Sequence, residues 1–282
     1  MSECVIVGIW CIGSAGRGIP LPTRCLRYRH FSALRFIWPL RNRFLGSMRR
    51  VWTPGSRCFR YECGRWGWDN KMRLILIRHG ASAHSIIGGS SCPGLTDEGF
   101  KQANLLAARF RTGPEVSDCH TLLSSPVLRA HQTADVLARM LEILPIVQDD
   151  DLTEIRPGEA EGLSWDAYRS QYGKFDFVAE PTRPFAPGGE SWLQYLDRVR
   201  TTLQRLAETY AGQTVLAVTH AGFIVASVLV VFDIPRPGTQ AGRHPSMRGW
   251  LEPLHTSLTE WNATPERWTL ARYNDTSHIA SG

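Results

Sequence analysis

The sequence predicts an α/β fold, a three-layer αβα sandwich around a mostly parallel sheet. Short apolar runs at 73–77 and 214–219 carry hydrophobic residues at successive positions, which is typical of strands buried on both faces. Stretches with helical periodicity separate such runs along the chain. Because strands that alternate with helices usually pair in parallel and are covered on both sides, this order of elements favours the sandwich.

In the first half of the predicted domain, each of two strands leads into a helix. The strand at 73–77 is followed by a loop and then by a helix that Thr96 caps and that runs to about Arg111. The next strand, at 121–123, is followed by a helix over 126–141 with a proline in its first turn. Each strand therefore ends where a loop begins, a position at which functional residues are often found.

In the second half, a short strand is predicted at 146–147 and an irregular acidic loop at 151–162. The clearest helix covers 189–211. Its apolar residues step by four and three: Trp192, Leu196, Val199, Leu203, Leu206 and Tyr210. The buried strand at 214–219 precedes an apolar helix, and residues 268–273 are predicted to form a late edge strand. Together these segments complete an alternating α/β pattern.

The overall composition is that of a soluble globular protein. The 282 residues are 43% hydrophobic and 21% charged, which excludes a disordered, collagenous or coiled-coil chain. No window approaches 18 uninterrupted apolar residues, so we expect no transmembrane segment. The part after residue 71 has two cysteines, and on this basis we expect a reducing, cytoplasmic location.

The first quarter of the chain differs sharply from the rest. Residues 1–70 contain twelve Arg, no Lys and five of the seven Cys, whereas residues 71–282 are slightly acidic. We therefore divide the chain into an Arg/Cys/Trp-rich extension, 1–71, and a catalytic domain, 72–282. The extension is expected not to be a folded domain. Translated sequence upstream of a start at Met72, a targeting or membrane-surface segment, and a nucleic-acid-binding arm all stay open as explanations.

Polar residues follow three of the predicted strands at their carboxyl ends. They are Arg78-His79, Ser124-Ser125 and Thr219-His220. In parallel sheets ligands bind outside the carboxyl ends of the strands, so we expect one crevice that gathers these residues. Arg129, early in the helix over 126–141, would point towards the same crevice, although by itself it is more typical of a solvated helix arginine.

These residue types suit chemistry on a phosphate ester. An imidazole such as His79 can act as a nucleophile towards phosphorus, and arginine neutralises phosphate oxygens in a bidentate manner. A carboxyl group in the acidic loop can protonate a leaving alkoxide. Glu154, Glu159 and Glu161 are all candidates for that role, and their spacing alone does not separate them.

The motifs resemble, in order, those of the histidine phosphatase superfamily, the phosphoglycerate mutase-like proteins. The first match is Leu74-Ile-Leu-Ile-Arg-His-Gly, and the resemblance spans roughly residues 72–275. The later matches are Leu95-Thr96-Asp97-Glu98-Gly99 with Gln102-Ala103, Ser124-Ser125-Pro126 with Arg129-Ala130 and Gln132-Thr133-Ala134, Glu154 with Gly158 and Glu161-Gly162, Gly188-Gly189-Glu190-Ser191, and Val218-Thr219-His220-Ala221-Gly222. The resemblance implies a phosphoglycerate mutase-like fold.

The resemblance also implies a role for each matching residue. His79 corresponds to the nucleophile that becomes phosphohistidine, and Glu154 to the proton donor. Arg78, Arg129 and His220 correspond to the pocket for the phosphoryl oxygens, with His220 also part of the catalytic set. Ser82 and Ser85 are weaker candidates for phosphate contacts.

The mutase branch of the family commonly continues Arg-His-Gly with an acid and ends the motif in Trp-Asn. Here the continuation is Ala81-Ser82-Ala83-His84-Ser85, so the usual Asn position is Ser85. The sequence therefore predicts a metal-independent phosphomonoester hydrolase, a histidine acid-type phosphatase. A phosphoglycerate mutase and a catalytically weak protein that binds phosphorylated ligands are the alternatives.

The expected partner is a small phosphorylated metabolite, with no cofactor, no metal ion and no nucleic acid. Residues 164–190 and 233–257 are predicted to form the lid that selects the substrate. The second of these segments is cationic, which suggests an acidic substrate. The oligomeric state and the identity of the metabolite are not predicted.

Overall fold

A computed structural model describes most of the chain after residue 69. The described residues are 70–82, 87, 94–116, 118–143, 145–177, 179–234 and 251–279, with two short strands before them. These strands, β1 (Arg49–Val51) and β2 (Arg60–Glu62), pair antiparallel within the stretch 1–71. The other residues before Asn70 lie outside the described part of the chain.

Six further strands and five helices follow within the described residues. The strands are β3 (Met72–Arg78), β4 (Cys119–Ser124), β5 (Val147–Gln148), β6 (Thr214–Thr219), β7 (Leu258–Thr264) and β8 (Arg267–Asp275). The helices are α1 (Asp97–Thr112), α2 (Leu128–Leu141), α3 (Trp165–Tyr172), α4 (Trp192–Thr209) and α5 (Ala221–Val231). Short 3-10 turns lie at Pro114–Val116, Asp150–Leu152 and Gly158–Ala160. None of the described helices is both long and apolar enough to cross a membrane.

The strands β3 to β8 form one mostly parallel sheet in the order β5-β4-β6-β3-β7-β8. The first four strands in this order are parallel to one another. At the other edge of the sheet, β7 pairs antiparallel with β3, and β8 pairs antiparallel with β7. The central strands β4, β6 and β3 are neighbours, and in their register Arg78 lies opposite Thr219 and Ser124 opposite Val218. The carboxyl ends of these three strands therefore meet at one edge of the sheet.

Two apolar clusters cover the two faces of the sheet, which confirms the three-layer prediction. Along β3, Leu74 and Leu76 pack in the cluster that contains residues of α4 and α5. Ile75 and Ile77, between and after them, pack in the opposite cluster with residues of α1 and α2. Successive side chains of a strand point to opposite faces, so an unbroken apolar run fills both layers. Each fully buried side chain of this size stabilises the fold by about 1.5–3 kcal/mol.

Helix α1 starts as its sequence predicts, and α2 starts two residues later than predicted. The Thr96 side chain accepts a hydrogen bond from the Gly99 amide (3.2 Å) and caps α1. Pro126, however, does not lie in the first turn of α2, because Val127 is the N-cap. The Ser125 amide still donates to the Val218 carbonyl (2.9 Å), so the chain follows the sheet further before it turns. Arg129 is consequently the second residue of α2.

Among the described helices and strands after residue 71, two were not identified from the sequence. Helix α3 lies inside the predicted lid 164–190 and buries only Tyr168, so it carries little helical periodicity. Strand β7 was missed because polar residues occupy buried positions in it. Glu260, for example, is buried and pairs with Arg73 of β3 (2.7 Å). Strand β8 is confirmed and extends beyond the predicted 268–273 at both ends.

Candidate active site

A cavity of about 710 Å³ is lined by residues at the carboxyl ends of the central strands and by the segments beside them. The cavity lining includes four of the predicted residues: Arg78, His79, Arg129 and Glu154. A fifth, His220, lies next to them, with its ring centroid 5.2 Å from that of His79. The structure thus brings together residues that are up to 142 positions apart in the chain, from Arg78 to His220.

His79 follows β3 and is held by hydrogen bonds on both ring nitrogens. Its Nδ1 lies 2.8 Å from the Gly80 carbonyl, and the Arg129 Nε–H donates to its Nε2 (3.0 Å). A carbonyl only accepts and a guanidinium only donates, so the proton must lie on Nδ1 and the lone pair on Nε2. Burial, together with the nearby His220 and Arg129, lowers the pKa of His79 well below its ordinary value of 6.5. The imidazole is therefore neutral and unprotonated at Nε2.

The turn after His79 requires glycine because another backbone segment lies against it. A Cβ at Gly80 would lie 2.6 Å from the Gly99 carbonyl oxygen at the start of α1. A Cβ at Gly99 would in turn lie 2.1 Å from the Ala81 carbonyl oxygen. The Gly80 amide also donates to Thr133 Oγ1 of α2 (3.1 Å). These contacts fix the backbone beside the predicted nucleophile.

Arg129 links the two histidines. While its Nε–H faces His79, its NH2 group lies 3.1 Å from His220 Nδ1. Nδ1 of His220 must accept that bond, so its proton lies on Nε2 and is donated to Ser125 Oγ (2.9 Å). Burial, followed by the positive charge of Arg129, lowers the pKa of His220 well below 6.5. Both imidazoles are therefore neutral, and the positive charge between them belongs to the guanidinium.

Arg78, the last residue of β3, brings a second guanidinium to the cavity. Its NH1 group donates to the Pro253 carbonyl (2.7 Å). Its Nε is buried and has no hydrogen-bond partner within the described part of the chain. Burial lowers the pKa of Arg78 from its ordinary 12.5, but an arginine remains charged at neutral pH. Two arginines thus supply hydrogen-bond donors and charge for an anion beside His79.

Glu154 lies in the loop after the 3-10 turn Asp150–Leu152, and both of its carboxylate oxygens are held. Oε2 accepts from the Gly222 amide at the start of α5 (2.9 Å). Oε1 accepts from the Tyr195 hydroxyl (2.7 Å) and from the Ile155 amide (3.2 Å). Burial, followed by the charge of Glu154, raises the pKa of Tyr195 well above 10, so the phenol stays protonated and donates. The carboxylate is therefore fixed in place at the cavity.

Arg198 of α4 anchors the backbone that carries Glu154. Its Nε and NH2 groups each donate to one carboxylate oxygen of Glu190 (2.7 Å each). The remaining N–H groups donate to backbone carbonyls, including that of Asp151 (2.7 Å) and that of Glu154 (3.1 Å). Neither Tyr195 nor Arg198 was identified from the sequence. Tyr195 lies three residues after Trp192 on the buried face of α4, where it is indistinguishable from a core residue.

Gly222→Ala is expected to lower kcat by at least about tenfold without unfolding the protein. The Cβ of an alanine would lie 2.0 Å from Glu154 Oε1, so the carboxylate must move. If Glu154 is the proton donor, as predicted, a displacement of about 1 Å can cost 10²-fold in rate. Steady-state kinetics and a thermal melt would measure both effects. Wild-type kcat in this variant would show that the position of Glu154 is unimportant.

The other residues considered from the sequence lie in different surroundings. Ser82 is buried and its Oγ has no hydrogen-bond partner among the described residues, but it is not part of the cavity lining. Ser85 lies outside the described residues. Glu159 is exposed, and Glu161 lines a neighbouring depression rather than the main cavity. Among the three candidate acids, Glu154 is thus the one that lines the cavity beside His79.

The positive charge of the cavity lining comes from arginine and lysine side chains. No group of three or more His, Cys, Asp or Glu side chains is arranged to hold a metal ion in the described part of the chain. The cationic side chains in the cavity lining are Arg78, Arg129, Arg169 and Lys174. An anion that enters the cavity would therefore meet guanidinium and ammonium groups.

Comparison with known proteins gives consistent matches over most of the described residues. A family model described as the histidine phosphatase superfamily (branch 1) matches residues 74–276. A metal-independent phosphoserine phosphatase of Arabidopsis thaliana is 28% identical over 246 residues, which cover 83% of this chain and 94% of that protein. Phosphoglycerate mutase-like protein 4 of the same plant is 28% identical over 219 residues, which cover 73% and 86%.

Among solved structures, the YhfR protein of Bacillus stearothermophilus superposes with a TM-score of 0.61 at 26% identity. The match covers 74% of this chain and 99% of that one. The phosphoglycerate mutase-like fold that the motifs imply is thereby confirmed. The relatives include one named as a phosphatase and one named for its likeness to a mutase.

Proposed function

The chain belongs to the histidine phosphatase superfamily, and on that premise we propose that it is a metal-independent phosphomonoester hydrolase. In this proposal His79 is the nucleophile that becomes phosphohistidine, and Glu154 is the general acid and base. The observation that carries the proposal is the hydrogen bonding of His79. Its Nδ1–H is bound by the Gly80 carbonyl, so the lone pair of Nε2 lies beside Arg129 at the cavity.

In the first step, Arg129 transfers its Nε–H hydrogen bond from His79 Nε2 to the phosphate of a bound monoester, and the freed Nε2 lone pair attacks the phosphorus atom. The N–P bond forms as the bond from phosphorus to the alcohol oxygen breaks, and protonated Glu154 gives its proton to the departing oxygen. Charge develops on the transferred phosphoryl oxygens, and Arg78 and Arg129 neutralise it. A phosphate dianion also favours the protonated form of His220, which then adds a third cationic donor.

In the second step, water attacks the phosphohistidine. Glu154, now a carboxylate, takes a proton from the water as its oxygen bonds to phosphorus and the N–P bond breaks. Inorganic phosphate leaves and His79 returns to its neutral form. Tyr195 and Gly222 hold the carboxylate through both steps, since each donates a hydrogen bond to one of its oxygens.

Hydrolysis is favoured over mutase-type phosphotransfer by the residues after Arg-His-Gly, where Ala81 replaces the acid of the mutase branch and Ser85 its Asn. The test is release of inorganic phosphate by the full chain from an aryl phosphate and from 3-phosphoglycerate, with EDTA present. Release under these conditions is the expected result. Transfer between the carbons of phosphoglycerate without release would favour a mutase, and tight binding without either reaction would favour a phospho-ligand-binding protein.

The low pKa of His79 predicts an acid limb of kcat/KM below pH 6.5. A nucleophile must be unprotonated, and burial keeps His79 neutral at pH values where an ordinary histidine is charged. The limb would be measured with a substrate whose own phosphate ionisation is titrated separately, and the His79 ring protons would be followed by NMR. A limb at or above pH 6.5 that tracks the NMR titration would contradict this assignment.

The same shifts make the folded state sensitive to acid. The unfolded chain protonates His79 and His220 as the pH falls through about 6.5, whereas the folded protein does not. The unfolded state then binds more protons, so the free energy of unfolding decreases with falling pH from that point. Above pH 7 the two lowered pKa values do not change the free energy of unfolding, because both histidines are neutral in the folded and in the unfolded state.

We also propose that residues 72–282 are sufficient for catalysis. Every residue assigned a role above lies after Met72, so a chain trimmed of residues 1–71 should keep kcat/KM within about twofold of the full chain. Parallel assays of both chains would measure this. Loss of activity in a folded trimmed chain would assign the extension a part in catalysis, and loss of nucleic-acid binding alone would identify it as a basic arm.

A further inference from the structure

Six aromatic side chains contribute to the cavity lining, and together they are called the aromatic wall. They come from α3, from residues 175–185 and from the start of α4: Trp165, Tyr168, Phe175, Phe177, Phe185 and Trp192. None of these positions belongs to the motifs that carry the proposed chemistry. Tyr168, Phe185 and Trp192 are buried and also belong to apolar clusters of the core, whereas Trp165 is 45% exposed. The wall therefore offers an apolar surface to a ligand in the cavity.

The aromatic wall is formed by rings that pack on one another. Tyr168 stacks on Phe185 with centroids 4.5 Å apart, and its hydroxyl donates to the Phe185 carbonyl (2.7 Å). Phe175 meets Phe185 edge to face at 4.9 Å. The rings of Phe177 and Trp192 are tilted relative to each other, with centroids 4.7 Å apart. Such contacts rigidify the wall, so an apolar group can bind there with little ordering cost.

The charges along this wall are mixed. Arg169 of α3 lies 3.1 Å from Asp166, but both side chains are exposed, so solvent screens this pair. Glu252 also lines the cavity and would repel a carboxylate or second phosphate. Lys174 remains as a cation at the wall. An acidic substrate is expected in the sequence from four basic residues of the segment 233–257. Arg236, Arg243 and Arg248 lie outside the described residues, and the ring centroid of the fourth, His255, lies 5.8 Å from that of His79.

We infer that the enzyme prefers phosphomonoesters whose alcohol carries a bulky apolar group, best an aromatic ring, over esters of small polar or acidic alcohols. This inference rests on the proposed phosphatase activity. The phosphate would bind between Arg78, His79 and Arg129, and the ring would lie against the aromatic wall. A cavity of about 710 Å³ has room for both parts.

The test compares esters with similar leaving groups, so that differences in kcat/KM report substrate recognition and not leaving-group reactivity. 2-Phenylethyl phosphate and glycerol 3-phosphate both release a primary alcohol, and phosphoserine and 3-phosphoglycerate serve as acidic esters. Burial of a phenyl ring predicts a kcat/KM for the phenylethyl ester about 10- to 100-fold above that for each of the other three. Equal values, or a preference for the acidic esters, would overturn the inference.

A variant pair locates the preference in the wall. Trp165 is 45% exposed at the cavity, and Trp165→Ala should reduce the preference for the phenylethyl ester several-fold without unfolding the protein. Phe232→Ala is the matched control, since Phe232 is 54% exposed and lies outside the cavity lining. An unchanged preference in Trp165→Ala, or an equal loss in Phe232→Ala, would remove the wall from the explanation.

A binding measurement separates this inference from the proposed activity. 2-Phenylethylphosphonate and ethylphosphonate cannot be hydrolysed, and calorimetry of both with the full chain reports recognition alone. Tighter binding of the phenylethyl compound by about tenfold or more supports the inference even if no ester releases phosphate, in which case only the proposed hydrolysis fails. Equal binding would refute the inference whatever the activity.

Discussion

His79→Ala is expected to lower kcat for phosphate release by at least about 10⁴-fold, because no neighbouring group can replace a nucleophile that forms the covalent intermediate. Its imidazole lines the cavity, with an unprotonated Nε2 that faces the Arg129 guanidinium. Rapid quench with a ³²P-labelled ester should trap acid-labile, base-stable radioactivity in the wild-type protein and none in the variant.

His131→Ala is the matched control for that experiment. His131 lies two residues after Arg129 on α2, is partly exposed and lies outside the cavity lining. This control should keep near-wild-type kcat. A folded His79→Ala protein that still forms the labelled intermediate would show that another residue is the nucleophile.

Glu154→Gln is expected to lower kcat by about 10²- to 10⁴-fold for esters of poor leaving groups. Glutamine keeps the shape but has a single acceptor oxygen, so it keeps the hydrogen bond from either Tyr195 or Gly222 and loses the other. It also cannot give a proton to the leaving oxygen. The anion of an acidic phenol can leave without that proton. For esters of such phenols, the phosphorylation of His79 should therefore be slowed much less. A series of aryl and alkyl phosphates, with burst kinetics to separate the two steps, would measure the dependence on leaving group.

Glu159→Gln serves as its control because Glu159 is an exposed acid of the same loop and was an equal candidate on spacing. It should retain wild-type rates for every ester in the series. If Glu154→Gln slowed all esters by the same factor, the residue would not be the general acid. If Glu159→Gln instead reproduced the leaving-group dependence, the proton donor would be Glu159.

Much of the fold follows from local pattern. The apolar run of β3 places residues on both faces of the sheet, and Thr96 caps α1 as its position before an acidic turn predicts. These features depend on neighbouring residues alone, which is why they can be derived without tertiary structure. Strand β7 was missed because its buried Glu260 is compensated by Arg73, a partner 187 residues away in the chain.

Part of the candidate site likewise follows from the sequence, and part of it only from the structure. Ordered motifs and the strand-end rule determined, from the sequence alone, that Arg78, His79, Arg129 and His220 belong at one edge of a parallel sheet, since the carboxyl ends of parallel strands share an edge. The choice of Glu154 over Glu159 and Glu161 followed, in the sequence, only from the family resemblance. The structure adds that Glu154 alone of the three lines the cavity beside His79.

The sequence by itself thus determined the sandwich, its family and the set of residues at the strand ends. Only the tertiary structure decided which residues hold the site's side chains in place and which residues line the rest of the cavity. Tyr195 and Gly222 reach Glu154 from separate helices, and the aromatic wall is assembled from segments that show no shared pattern. The physical reason is that such side chains converge through packing between distant elements, whereas periodicity and capping record only the interactions of residues close in sequence.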